Sequence, residues 1–139
     1  MAKLEDNGAK DKKSVGKQGE DIACLFLERK GFSIIDRNYR KPWGEIDIIA
    51  EKDRTVRFIE VKALSREMTH AISREINEYM PEEQVTRRKL GKLARTAVLY
   101  MEKMKDTREF QIDVVSVLLD RKQRVAHCKL IEQALEDNL

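Results

Sequence analysis

The sequence predicts an α/β fold: a small mixed central sheet flanked by helices on both faces. Three observations lead there. Two apolar runs, residues 44–50 and 55–62, are separated by a short polar link and read as a β-hairpin. A strongly amphipathic helix follows, with Leu90, Leu93, Ala94, Ala97, Met101 and Met104 on one face. A third apolar run, residues 110–119, comes after that helix. Strand, helix and strand make a crossover, so this run should pair parallel to the strand at 55–62.

The elements follow in order along the chain. Residues 1–13 are polar and charged and read as a flexible tail. Between 14 and 30, Ile22, Leu25 and Phe26 recur at helical spacing, and Gly31 stands behind Arg29 and Lys30, where a helix end favours glycine and cations. Residues 32–40 read as the first strand and lead into a turn, 41–44, carrying Pro42 and Trp43. The link 51–54 suits the hairpin turn. Residues 65–80 carry the weakest pattern. Met68, Ile72, Ile76 and Tyr79 fit a helical stripe that Thr69, His70 and Asn77 interrupt, so an arm, a lid and a docking helix all fit. Pro81 ends this stretch, and Glu82 and Glu83 near the next helix start complement its dipole. Residues 124–131 add a last short strand and 132–139 a fraying tail, which leaves one domain at 14–131.

Composition narrows the function classes. With 41% apolar residues, six glycines and two prolines, the chain reads as globular, and a net charge of +3 permits nucleic-acid binding without demonstrating it. Cys24 and Cys128 match no zinc spacing and read as buried free thiols. Two histidines, His70 and His127, argue against a histidine-based metal site or nuclease. The opening residues lack an apolar signal core and no run approaches membrane-spanning length, so the expectation is a cytoplasmic protein without a membrane partner.

The charges inside the apolar strands carry the chemistry. Side chains alternate along a strand, so Glu60 and Lys62 share a face, and the hairpin sets Asp47 beside Glu60 on it. Converging, partly buried carboxylates are costly unless a cation balances them. Lys62 supplies one positive charge and a divalent ion would supply the rest, which outlines a metal-dependent phosphodiesterase site. The plainer reading is a Glu60–Lys62 salt bridge with Asp47 as a satisfied acid. Spacing alone does not choose, because Asp11 and Lys13, Glu28 and Lys30, and Asp120 and Lys122 repeat it. On the amphipathic helix, Arg87, Arg88, Lys89, Lys92 and Arg95 form a solvated basic face or a phosphate-tracking one.

Taken in order, several segments closely resemble one family. They are Gly16-Lys17-Gln18-Gly19-Glu20, Asn38-Tyr39-Arg40, Gly44-Glu45-Ile46-Asp47-Ile48-Ile49-Ala50 and Phe58-Ile59-Glu60-Val61-Lys62, then the helix around Lys89 and Phe110-Gln111-Ile112-Asp113-Val114-Val115. The series resembles the YraN family of bacterial predicted endonucleases over residues 14–131. That family is similar to archaeal Holliday-junction resolvases and to the restriction-endonuclease-like fold. The resemblance implies hydrolysis of phosphodiester bonds in structured or branched DNA, with Mg2+ or Mn2+ held by Asp47 and Glu60. It also brings Glu20 to the site, a role that spacing does not suggest. Lys62 would orient the attacking water or offset charge on the phosphate. Arg37, Arg40, Lys41, Arg88, Lys89 and Lys92 would contact phosphates, and cutting paired strands would favour a homodimer. Trp43 would stack on an unpaired base or pack against the hairpin with its indole N–H bonded. Asp113 is expected to be structural. The chain departs from the family pattern at Leu64, where arginine is common, with Arg66 two residues further on. Two rival functions are a non-catalytic nucleic-acid-binding module and a partner-docking module built on residues 65–80.

Overall fold

A computed structural model describes residues 12–67 and 86–137. Helix α1 (Lys12–Arg29) ends where the glycine lies: Gly31 takes φ 93, and the Phe32 N–H returns to the Leu27 carbonyl at 3.0 Å. The chain then enters β1 (Ser33–Lys41), β2 (Gly44–Lys52) and β3 (Thr55–Arg66). The hairpin between β2 and β3 is tighter than the four-residue link expected. Lys52 pairs with Thr55, and Asp53 and Arg54 both take the left-handed conformation, φ 52 and 65, that matches the twist of the flanking strands. Helix α2 (Arg87–Lys103) opens on Thr86, whose side chain accepts the Lys89 N–H at 3.1 Å. Strands β4 (Phe110–Asp120) and β5 (Val125–Ile131) follow, then a single turn, α3 (Ala134–Asp137).

The sheet runs β1-β2-β3-β4-β5. Among the described residues only the β3–β4 pair is parallel, in register from Val56 opposite Phe110 to Arg66 opposite Asp120, as the crossover predicts. Helix α1 covers one face through Ala23 and Leu27, packed with Ile48, Ile59, Val115 and Val117. Helix α2 covers the other through Leu90, Leu93, Ala97 and Met101, packed with Val56, Phe58 and Val114. Both helices meet β3, so the central strand carries its charged residues between two cores. This is the small mixed sheet with helices on both faces, consistent with a restriction-endonuclease-like fold.

The C-terminal tail departs from expectation: residues 132–137 do not fray. Ala134 is 3% exposed, the Gln133 N–H donates to Asp113 Oδ1 at 3.0 Å, and Glu132 Oε1 accepts from Arg57 Nη1 at 2.8 Å. Asp113 is structural as expected, because its buried carboxylate also takes Gln111 Nε2 and Arg57 Nη1. Burial alone would lift the Asp113 pKa, and these donors offset part of that rise. Cys24 and Cys128 are free thiols, Cys24 buried and Cys128 half-buried, and burial raises both. Lys12 and Lys13 of the expected 1–13 tail belong instead to α1, and Ser65 and Arg66 of the weak 65–80 stretch continue β3; residues 1–11, and the stripe, Pro81 and the acids between 68 and 85, lie outside the described residues.

Candidate active site

Strands β2 and β3 pair as far as Ile48 opposite Ile59, and then the ladder stops. Continuing that register would set Asp47 opposite Glu60. Where the strands part, Asp47 Oδ2 accepts the Val61 N–H at 2.8 Å, standing in for a backbone carbonyl. On its other side Asp47 falls between the pairs Arg37–Ile48 and Tyr39–Ile46, facing Asn38 of β1. Asn38 is left-handed, φ 52, a conformation asparagine tolerates better than bulkier residues. Alternation breaks here, since Ile48 belongs to the α1-side core and Ile46 to the α2-side core. The Asp47 carboxylate therefore lies at the junction of the two faces, coupled to Glu60 and Lys89 and, across the sheet, to Glu20.

Each partner has a structural cause. Gly19 of α1 lies against β3, where a Cβ would stand 2.5 Å from Ala63 Cβ, so the missing side chain lets the helix bring Glu20 close. Glu60, 7% exposed, is met by Lys89 of α2, Nζ to Oε1 2.6 Å. Lys62, half-buried, lies two residues along the same strand opposite Ser116 and pairs with no acid among the described residues. Expectation had Lys62 as the counter-charge of Glu60 and Lys89 as a phosphate contact. The structure instead gives the ion pair to Lys89 and leaves the Lys62 ammonium uncommitted.

Burial, and then like charge, governs the electrostatics of the acids. Burial first, and then Glu60, push the Asp47 carboxyl up to about 7, against the pull of the Val61 N–H and Lys89. Burial and Asp47 likewise raise Glu20, with Arg37 and Asn38 opposing. The Glu20 Oε1 atom is buried and accepts no hydrogen bond, with Arg37 Nη2 3.7 Å away. Burial works against the Lys89 charge, yet Glu60, Asp47 and Glu45 leave its pKa raised. The hard carboxylate oxygens of Asp47 and Glu20, which make no close ion pair among the described residues, fit Mg2+ or Mn2+ together with Glu60. Among the described residues no three acid, histidine or cysteine side chains stand together closely enough to hold an ion by themselves. An ion here would complete its shell with water and substrate oxygens, as magnesium commonly does.

Beside Glu60 opens a cleft of about 360 Å3 between the β1–β2 turn and α2, with Lys41 on one wall and Lys89 and Lys92 on the other. Gly44 shapes it, because any Cβ there would run into the Thr96 side chain. Lys89, Lys92, Leu93 and Thr96 line the cleft at helical spacing. The other expected phosphate contacts differ. Arg37 is engaged by Asp21 at 2.7 Å, Arg40 is exposed and 3.7 Å from Glu45, and Arg88 is exposed outside the cleft. Trp43 does not pack with a bonded indole: it is half exposed and its N–H makes no hydrogen bond among the described residues. Sequence reasoning missed the Lys89–Glu60 pair, the Asn38 twist and the Arg37–Asp21 bond. The stripe 89, 92, 93, 96 is visible in sequence, but only the helix rotation shows that it faces Glu60.

Comparison with known proteins matches residues 19–117 to the family described as "Uncharacterised protein family UPF0102", a span that holds Glu20, Asp47, Glu60, Lys62 and Lys89. The chain is similar to a UPF0102 protein of Syntrophomonas wolfei, 38% identical over 117 residues that cover 83% of this chain and 94% of that protein. It is 40% identical over 102 residues to a UPF0102 protein of Campylobacter jejuni strain 81-176, covering 73% and 81%. A UPF0102 protein of Dictyoglomus thermophilum is 35% identical over 114 residues, covering 81% and 89%. Among the described residues no helix is long and apolar enough to cross a membrane.

Proposed function

This chain belongs to the UPF0102 family, the YraN family its motifs resemble, and we propose that it is a Mg2+- or Mn2+-dependent endonuclease acting on structured or branched DNA. The observation that carries the proposal is the Asp47–Glu60 pair at the point where β2 and β3 part, with the Asp47 pKa raised to about 7. Lys89 pairs with Glu60, yet burial and the Glu60 charge still hold the Asp47 carboxyl high. Asp47 and Glu60 would hold the ion, with Glu20 reaching it through water. When bound, the ion supplies polarisation of the scissile phosphate and a more acidic water.

The chain's own residues do the rest. Lys62, without an acid partner among the described residues and on the Glu60 face, orients the attacking water or offsets charge growing on the phosphate oxygens. Lys41 and Lys92 hold a neighbouring phosphate in the cleft, a contact that positions the strand without reading its sequence. The Val61 N–H keeps the Asp47 carboxylate at the junction of the two faces, and Asn38, opposite Asp47 in register, is bonded to Glu20. A homodimer would set two such sites on paired strands, and the cytoplasm is the compartment where the substrate lies.

One observation favours a non-catalytic nucleic-acid-binding module: Lys89 already neutralises Glu60. Labelled branched, single-stranded and duplex DNA, incubated with Mn2+ or Mg2+, separates the two. Cutting by wild type that is lost in Asp47→Ala, Glu60→Ala and Lys62→Ala, with folding and binding kept, is the expected result. Absence of cutting on every substrate, with binding indifferent to all three changes, would favour the module.

A further inference from the structure

Trp43 is the chain's only tryptophan and sits, 50% exposed, at the tip of the β1–β2 turn. Each of the other described aromatic rings has a partner. Tyr39 and Phe58 meet Tyr100 edge to face, Phe58 also meets Phe110, and Phe26 and Phe32 lie under cations. Trp43 has none among the described residues, so its indole is held out of the core at the cost of exposed apolar surface. Its chain neighbours Lys41, Pro42 and Gly44 line the cleft that ends at Glu60. An idle aromatic face beside a lysine-walled cleft has the two parts of a single-strand subsite: a flat surface for a base and cations for its backbone.

Resting on the reading of this cleft as a nuclease site, we propose that Trp43 is the stacking platform for an unpaired base whose phosphate lies between Lys41 and Lys92. The substrate is then a strand with an unpaired nucleotide beside the scissile bond, such as a single strand, a flap or a junction crossover. In continuous duplex the faces of the bases are already stacked on one another and do not reach the indole. Gly44 serves the same end, since its close approach to Thr96 holds the turn, and Trp43 with it, against α2.

Because Trp43 is the only tryptophan, intrinsic fluorescence reads this position directly. The full chain, without divalent metal so that no strand is cut, is titrated at fixed salt with a twelve-residue oligothymidylate and with a duplex of the same length. The expected result is quenching by the single strand and little change with duplex. Trp43→Ala should weaken single-strand binding roughly tenfold, Trp43→Phe much less, and both should leave duplex binding within about twofold. Single-strand binding without quenching, or an equal loss of both substrates in Trp43→Ala, overturns the platform. Metal-dependent cutting is scored separately. A chain that cuts but shows no quenching refutes the platform alone, whereas quenching without cutting refutes the nuclease and keeps the base subsite.

Discussion

Asp47→Asn should stabilise the metal-free protein at pH 8 while removing its ability to hold a divalent ion. The Asp47 carboxyl is pushed from its ordinary 3.8 to about 7, first by burial and then by Glu60. A carboxyl whose folded pKa lies above its unfolded value holds its proton more tightly in the folded state. Its contribution to stability is therefore complete below about pH 4 and is lost as pH rises through about 7. A rise of about 3 units at about 1.36 kcal/mol each bounds the loss at about 4 kcal/mol, and the partial exposure of Asp47 to solvent reduces it to the order of 2–3 kcal/mol. Asparagine keeps the shape and a carbonyl for the Val61 N–H, yet carries no charge. At about 3 °C per kcal/mol for a domain of this size, the variant should melt about 6–9 °C above wild type at pH 8. The difference should shrink towards zero by pH 4. Added Mn2+ should raise the melting temperature of wild type at pH 8 and leave the variant where it was. Scanning calorimetry from pH 4 to 9 reads all three. A variant less stable than wild type at pH 8, or a difference that does not change with pH, would refute the reasoning.

Three other perturbations have expected outcomes. Lys89→Ala strips the cation from Glu60; because Lys89 is half exposed, the cost should be about 1–2 kcal/mol, and the Asp47 titration followed by carbon NMR should move upward. Gly19→Ala forces a methyl against Ala63, which should cost about 1–3 kcal/mol in urea unfolding and reduce the cutting rate by displacing Glu20. Arg57→Met leaves Asp113 buried without its cation, so stability should fall by about 3 kcal/mol while the rate per folded molecule stays at the wild-type value.

Much of this architecture was legible in the sequence because it follows from local rules. The two-residue turn at Asp53 and Arg54 keeps the hairpin register as far as Ile48 and Ile59, which brings Asp47 level with Glu60, but the alternation that would put both acids on one face breaks at Asp47. The parallel β3–β4 pair followed from the helix between them, and the end of α1 from Gly31. What local pattern did not show depends on how elements pack. The rotation of α2, set by Leu90, Leu93 and Ala97 against Phe58, aims Lys89 at Glu60 rather than at solvent. Arg37 looked like a phosphate contact until α1 placed Asp21 within 2.7 Å of it. The segment 132–137 looked like a polar tail because its anchors, Gln133 and Glu132, act through partners 20 and 75 residues away, Asp113 and Arg57. Asn38 gave a visible hint, since asparagine is a common left-handed residue, but nothing nearby marked it as facing Asp47.

The central claim is that Asp47 and Glu60 bind a divalent ion, and titration of Mn2+ into the protein at pH 8 tests it most directly, by calorimetry and by the loss of the free-ion paramagnetic resonance signal. Wild type should bind one ion per chain, Asp47→Asn and Glu60→Gln should lose it, and Lys62→Met should keep it. Binding that persists unchanged in both acid variants, or none in wild type, would contradict the account.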